Sequence, residues 1–359
     1  MVTVLRSTKQ RLWKIIAFLL FYSGALRPIH YLVDRYQCKR SSLGRTVFPY
    51  VKRRRSRSVQ ILAYHRINDE HDPFFPATPT KVFARQMEYL ASHLSVYPLA
   101  DLIESLQRRD VPENAVAITF DDGYRDNYLN AFPILRQLSL PATIFLATDA
   151  IGSRRVLWHD RVFSAFRETR APFLEDAQRN LGRYPLATLD EKLVAQTEVL
   201  KILRSLDDLH RLRWIDRLAE KLGVMDRKEL PDLMLTWDDV KIMHQSQISF
   251  ASHTVTHPIL SKIPSDKVRQ EIFESKRILE ERLRTTITTF AYPVGRKEDF
   301  NEMTKDCLRE AGYICALTSI FGSNSGGEDL FELRRGKPWE EYLPVFAAKL
   351  DWYRLCCQH

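Results

Sequence analysis

No CxxC pair occurs in this sequence. Its five cysteines, Cys38, Cys307, Cys315, Cys356 and Cys357, are odd in number. That pattern supports neither a disulfide framework nor a Cys-type zinc site. A long apolar run is missing too. The most apolar stretch, Leu12 to Leu26, is 15 residues long and contains Lys14, whereas a bilayer-spanning helix needs about 20. A cleavable signal peptide would follow its apolar core with small residues in an A-x-A pattern, and Tyr22-Ser-Gly-Ala-Leu26 is a poor version of one. Basic charge is also absent from most of the chain. The net charge is +9, yet residues 1–58 carry 14 Lys and Arg against a single acid, Asp34, leaving 40 basic and 44 acidic residues in the remainder. A nucleic-acid reader spreads its basic residues over a folded face, so that class is set aside. A basic leader beside an apolar stretch points instead to an anionic membrane surface. Residues 1–58 are read as a membrane-proximal leader and linker with an interfacial helix. A short tilted anchor, or a helix docked on the protein's own body, are the alternatives. The expected location is membrane-associated, with cytoplasmic face and cell envelope both open.

Across 359 residues, 45% are apolar and 28% charged, the balance of a globular protein with a sizeable core. Val59–Tyr64, Val116–Phe120, Leu140–Leu146, Ile248–Ala251, Thr288–Tyr292 and Ile314–Leu317 read as strands. Residues 81–93, 100–109, 127–138, 268–283 and 301–311 read as helices, the first with Thr80 as N-cap. Residues 155–235 interrupt this rhythm and read as a helical insertion, helical by pattern from Asp190 to Leu222. Strand–helix–strand alternation implies a parallel sheet. The fold class is α/β: a distorted or incomplete (β/α) barrel of seven strands, spanning residues 59–350 with the insertion.

Polar residues collect at the strand ends. They are His65, the pair Asp121 and Asp122, the pair His253 and His257, and Tyr292-Pro-Val-Gly295. In a (β/α) barrel such positions lie on the face that carries the chemistry. Adjacent carboxylates repel and raise one another's pKa, and a divalent cation relieves that. One Asp with two His is a common zinc set that leaves a position open. The histidines of Ser252-His-Thr-Val-Thr-His-Pro258 are four apart, but Val, Thr and the proline disfavour a long helix, so a short turn must bring them together.

Thr119-Phe-Asp-Asp-Gly-Tyr124, Ser252-His-Thr-Val-Thr-His257 and Phe290-Ala-Tyr-Pro-Val-Gly295, with Trp237 in Leu235-Thr-Trp-Asp-Asp239, resemble the motifs of the polysaccharide deacetylase family. These are the NodB-homology or carbohydrate esterase family 4 enzymes, and the resemblance covers roughly residues 59–340. It implies a metal-dependent hydrolase that removes N-acetyl groups from an amino-sugar glycan, in a polysaccharide or on a lipid-linked precursor. Asp122, His253 and His257 would hold Zn²⁺ or another divalent metal, and Asp121 would be the general base. Tyr292, Pro293, Val294 and Arg296 would line the substrate and oxyanion region, with the Val294 N–H facing the oxyanion.

Two positions depart from the family pattern. Ala291 stands where an arginine usually orients the base, and Val294 where a tyrosine usually follows the proline. Arg296 and Arg335 are the candidate replacements for the arginine. No histidine follows Leu317 except the terminal His359, so the usual C-terminal general acid is missing. His65, ending the first strand, takes that role here, an arrangement similar to a circularly permuted branch that acts on exported poly-N-acetylglucosamine. Tyr64 and Arg66 are expected to shape the cleft, His159 to serve packing, and Trp237 to lie buried beneath the metal loop. The rival readings are a glycoside hydrolase, disfavoured because adjacent carboxylates are not the opposed pair it needs, and a carbohydrate-binding scaffold on the same fold.

Overall fold

The computed structural model describes residues 58–177 and 181–356. The leader therefore lies outside the described residues, apart from Ser58. Among the described residues no helix is long and apolar enough to cross a membrane.

Strand β1 (Gln60–Tyr64) is followed by helix α1 (Thr80–His93), the two-residue β2 (Ser95–Val96), α2 (Leu99–Arg108) and β3 (Ala115–Phe120). Thr80 is the first residue of α1 rather than its cap. Pro79 precedes it, and the Thr80 N–H donates to Asp69 Oδ1 at 2.9 Å. Residues 127–138 are not one α-helix. A π-type turn, Asn127–Ala131, leads into α3 (Phe132–Gln137). This places Pro133 in the first turn of α3, where its missing N–H costs nothing. β4 (Ala142–Leu146) follows.

The 155–235 segment holds α4 (Trp158–Glu168), a hairpin of β5 (Phe173–Asp176) and β6 (Leu181–Pro185), then α5 (Leu189–Ser205) and α6 (Asp208–Lys221). The hairpin was not legible, and the expected helical run over 190–222 is two helices. The break falls at Leu206-Asp207, where Asp207 caps α6 by accepting from the His210 N–H at 3.1 Å. The segment builds its own apolar cluster around Trp158, Phe166, Leu203 and Trp214. The barrel resumes with α7 (Trp237–His244), β7 (Ile248–Ser252), α8 (Ser265–Leu283), β8 (Thr289–Ala291), α9 (Glu302–Glu310), β9 (Cys315–Phe321), β10 (Leu333–Arg335) and α10 (Leu343–Cys356).

Seven parallel strands run in the order β1-β3-β4-β7-β8-β9-β10, with β2 beside β3. The ends meet through one parallel bridge. The Ala63 N–H donates to Gly336 O at 3.0 Å and the Gly336 N–H to Ile61 O at 2.7 Å. The barrel is thus nearly closed, as the sequence implied.

Side chains alternate along each strand. Ile61, Ala117, Phe145, Ala251, Ala291, Leu317 and Leu333 fill the interior cluster with Leu102, Ile103 and Leu106 of α2. Leu62, Tyr64, Ile118, Ile144, Phe250 and Phe290 join the cluster formed with the surrounding helices. Strands buried on both faces explain the unbroken apolar runs. Each fully buried Leu, Ile or Phe contributes about 1.5–3 kcal/mol.

Candidate active site

β3 ends at Phe120, and the next two residues point their carboxylates to different partners. Asp121 faces Arg335, the last residue of β10. Arg335 Nη1 and Nη2 reach the two carboxylate oxygens at 2.7 Å each, and its Nε donates to Thr318 O at 2.7 Å. Both residues are buried. Burial would push the Asp121 carboxyl up, but Arg335, His253 and His65 outweigh it and hold it below the usual carboxylate range. Of the two candidate arginines, Arg335 is the one brought to Asp121. Arg296 instead chelates Asp299 through Nε and Nη2 at 2.9 and 2.8 Å.

Asp122 turns the other way at φ +74°, with the Gly123 N–H bonded back to Asp121 O at 2.9 Å. This is the strained three-residue turn. Gly123 at φ +89° completes it, and a Cβ there would meet Ile151 Cδ1 at 2.7 Å and Leu146 Cδ2 at 2.8 Å. The turn points Asp122 Oδ1 at His257 Nε2, 3.2 Å away, and His253 Nε2, 3.5 Å away. Both histidines follow β7. The expected turn is present, with Thr254 and His257 at φ +70° and +59°. Glu271 of α8 braces it, accepting from the Val255 and Thr256 N–H groups at 2.7 and 2.9 Å and from Thr256 Oγ1 at 2.6 Å.

The residues present fit a divalent cation. Ligand atoms of Asp122, His253 and His257 lie within 4.8 Å of one another, and all three residues are buried. His253 Nδ1 lies 2.7 Å from Ala291 O, so that nitrogen donates to the carbonyl and Nε2 is the one turned towards Asp122. Asp122 Oδ1 is buried with no hydrogen-bond partner, a position otherwise costly for a carboxylate oxygen. Burial would push Asp122 up, but the two imidazoles hold it well below the usual range.

His65 stands at the end of β1, half-exposed, with Nε2 3.8 Å from Asp121 Oδ2. The loop after it is pinned from below by Asp126. The Asp126 carboxylate accepts from Arg66 Nε and Asn68 Nδ2 at 2.8 Å each and from the Ile67 N–H at 3.2 Å. Asn127 Nδ2 donates to His65 O at 2.8 Å.

The third motif is mixed. The Tyr292 side chain is buried against Phe300, and its hydroxyl donates to Phe331 O at 3.0 Å. It belongs to the core and not to the cleft. Pro293 has no N–H to offer. Val294 sits at φ +61° in a second three-residue turn closed by the Gly295 N–H to Pro293 O at 2.6 Å. A β-branched residue there is strained, and no acceptor among the described residues takes its N–H.

His159 does more than pack. Its Nε2 is 2.9 Å from the Tyr124 hydroxyl and 3.9 Å from Asp122 Oδ2. Burial pushes its pKa down to about 3, keeping the ring neutral. Tyr124 also donates to Asp160 Oδ1 at 2.9 Å, and burial together with the Asp122 charge pushes Asp160 up to about 7. Trp237 is half-buried rather than fully buried, and no direct contact with the histidine turn is among its contacts. Its half-buried ring packs on Gly152 and under the Arg282 guanidinium. The loop between carries its support onward, through the Thr148 and Asp149 N–H groups to Thr254 and Val255 O at 3.1 and 2.9 Å. Sequence reading missed Asp126, Asp160 and Glu271 as site supports. Each acts through a neighbour distant in the chain, and no local pattern marks them.

Comparison with known proteins agrees with this geometry. The family model described as "Polysaccharide deacetylase" matches residues 108–316, more than half of the chain, and the chain belongs to that family. Its class is that of hydrolases acting on carbon–nitrogen bonds other than peptide bonds. YxkH of Bacillus subtilis, whose name assigns it to the same family, is 23% identical over 288 residues, covering 80% of this chain and 73% of that protein. The poly-β-1,6-N-acetyl-D-glucosamine N-deacetylase of Staphylococcus epidermidis is 38% identical over 72 residues, 20% of this chain and 25% of that one. Among solved structures, IcaB from Ammonifex degensii superposes with a TM-score of 0.53 at 18% identity, covering 81% of this chain and 96% of that chain. Streptococcus pyogenes deacetylase PplD, in complex with acetate, gives 0.52 at 20%, covering 78% and 92%. At these identities the two structures show a shared fold.

Proposed function

We propose that this protein removes N-acetyl groups from amino sugars of a polysaccharide or lipid-linked glycan, releasing acetate and a free amine. The observation that carries the reading is the placement of Asp121. Its carboxylate is fixed by Arg335, ionised, next in chain to the Asp122, His253 and His257 set, and 3.8 Å from His65. A divalent cation such as Zn²⁺, held by Asp122, His253 and His257, would lower the pKa of water and polarise the acyl carbonyl. Asp121 takes the proton of the attacking water, and Arg335 keeps its two oxygens in register. As the carbonyl carbon becomes tetrahedral, the Val294 N–H donates to the developing oxyanion. His65, 3.8 Å from Asp121 Oδ2, delivers a proton to the departing amine. A partial match to N-acetylglucosamine polymer deacetylases supports an N-acetylated amino-sugar substrate.

Acetate release from N-acetylglucosamine oligomers tests this. Wild type with added Zn²⁺ should release acetate, and Asp121→Asn should not while still binding metal. Equal release by both proteins would sink the role of Asp121. The basic leader, residues 1–58, supports a second proposal: attachment to anionic membrane surfaces. Removal of 1–58 should free the protein from acidic vesicles, and continued sedimentation with them would refute it.

A further inference from the structure

A second set of charges lies near the site, acting on His159 and beside Arg335, and the reaction does not use it. Leu203 of α5 is buried in the cluster against which Val294 packs, so α5 ends beside the third motif. The next residue, Arg204, has a buried Nε with no hydrogen-bond partner, and among the described residues it makes no ion pair. Its charge reaches His159 and Lys337. The acid acting on it, Asp299, is already chelated by Arg296. Lys337, two residues beyond Arg335, likewise has no carboxylate partner among the described residues. Its ammonium lies 5.1 Å from the ring centre of Trp339, which is 60% exposed. Gln86 fixes that loop, donating to Pro338 O and Glu340 O at 3.1 and 2.8 Å.

Arg296 is taken by two carboxylates, Asp299 and Glu298, the latter 2.8 Å from its Nη1, and among the described residues Arg204 and Lys337 are left with none. Burial and the neighbouring cations hold the pKa values of Arg204 and Lys337 below their usual ranges. Each cation is kept at an electrostatic cost that an arriving anion would relieve. An exposed tryptophan beside a lysine also offers a flat apolar face for a sugar ring.

We propose that Arg204 and Lys337, with Trp339 as a platform, form a subsite for an anionic group, phosphate or carboxylate, carried by the glycan substrate. This deepens the deacetylase reading and rests on it. The substrate is then an acidic or phosphate-bearing amino-sugar glycan, not a neutral one.

Calorimetric titration of the full chain tests it. The ligands are methyl N-acetylglucosaminide, its 6-phosphate, an N-acetylglucosamine–glucuronate disaccharide and inorganic phosphate. At least one acidic sugar should bind tenfold or more tightly than the neutral one, and the tighter of the two identifies the anion. That advantage should fall at least tenfold in Arg204→Ala and in Lys337→Ala and persist in Arg204→Lys, which controls for misfolding. Equal affinity for neutral and acidic sugars overturns the proposal. So does an advantage that survives both alanine variants, which would place anion binding on the basic leader. Inorganic phosphate binding as tightly as the sugar phosphate also overturns it, because the sugar would then not be read. Acetate release is followed in parallel. Loss of acetate with the preference intact refutes the deacetylase reading alone, and acetate release without the preference refutes the subsite alone.

Discussion

Arg335 and Asp121, 214 positions apart in the chain, meet through two 2.7 Å hydrogen bonds across the mouth of the barrel. Arg335 is one of two sequence candidates for this pairing, because Ala291 stands where the resembled motif carries an arginine. Arg335→Ala leaves a buried carboxylate unpaired and should destabilise the fold by about 3–5 kcal/mol. Arg335→Lys keeps the charge but loses the two-point grip, so it should fold better than Arg335→Ala while still losing about tenfold or more in kcat. Denaturant melts and steady-state kinetics check both, and an Arg335→Ala protein with wild-type kcat would contradict the positioning role.

The Asp122, His253 and His257 set should couple metal to stability. With metal at a hundredfold excess over Kd, the fold gains about 2.7 kcal/mol. Thermal melts should therefore shift upward with added Zn²⁺, return with chelator, and fail to shift in His253→Ala. A shift that persists in the variant would place the metal elsewhere.

Glu271 holds the histidine turn by three hydrogen bonds without touching the ligand atoms. Glu271→Ala should lower metal affinity by about 10–100-fold. Metal titration of the purified variant measures this, and unchanged affinity would show that the turn holds itself.

Asp126 ties the loop behind His65 to the first turn after β3. Asp126→Ala leaves the buried Arg66 guanidinium with only the exposed Glu70, 3.7 Å away, and should cost about 3 kcal/mol. With His65 loosened, kcat should fall while metal affinity stays. A loss of metal affinity equal to the loss of kcat would mean the whole face had collapsed.

Lys305 of α9 sits buried between Asp329 and Glu332, 2.8 Å from each. Burial would push both carboxyls up. Lys305, with Lys297 also on Glu332, outweighs it and holds them below their usual values. Groups with lowered pKa values stabilise the fold above the unfolded carboxylate range near pH 4, and that stability is lost as pH falls through the folded values. Lys305→Met should flatten the acid slope of stability below about pH 4. Chemical denaturation across that range reads it, and an unchanged slope would assign acid sensitivity to other groups.

Much of this was legible in short stretches. Val116–Phe120 is apolar because both faces of β3 are covered, and the charges after it mark the exit to the functional face. His253 and His257, four apart with Thr and Val between, signalled a convergent turn. The leader's basic charge also stood out, although it lies outside the described residues. Less could be read where the partner was remote. Arg296 is nearer the third motif in sequence, yet a carboxylate three residues on captures it. His159 looked like packing because its apolar neighbours, Leu157 and Trp158, do pack. Tyr292 looked like a cleft residue because nothing local revealed that its hydroxyl would find Phe331 O.

The sequence by itself determined the strand rhythm and marked Asp121, Asp122, His253 and His257 as candidates, because each pair follows directly on an apolar run with strand periodicity. Only the tertiary structure decided which arginine serves Asp121, which histidine faces it, and which cations are left unpaired at the rim. Those choices depend on closing the barrel, where the Gly336 bridge brings the end of β10 beside β1. Contacts made by closure join residues hundreds of positions apart, and no local propensity encodes them.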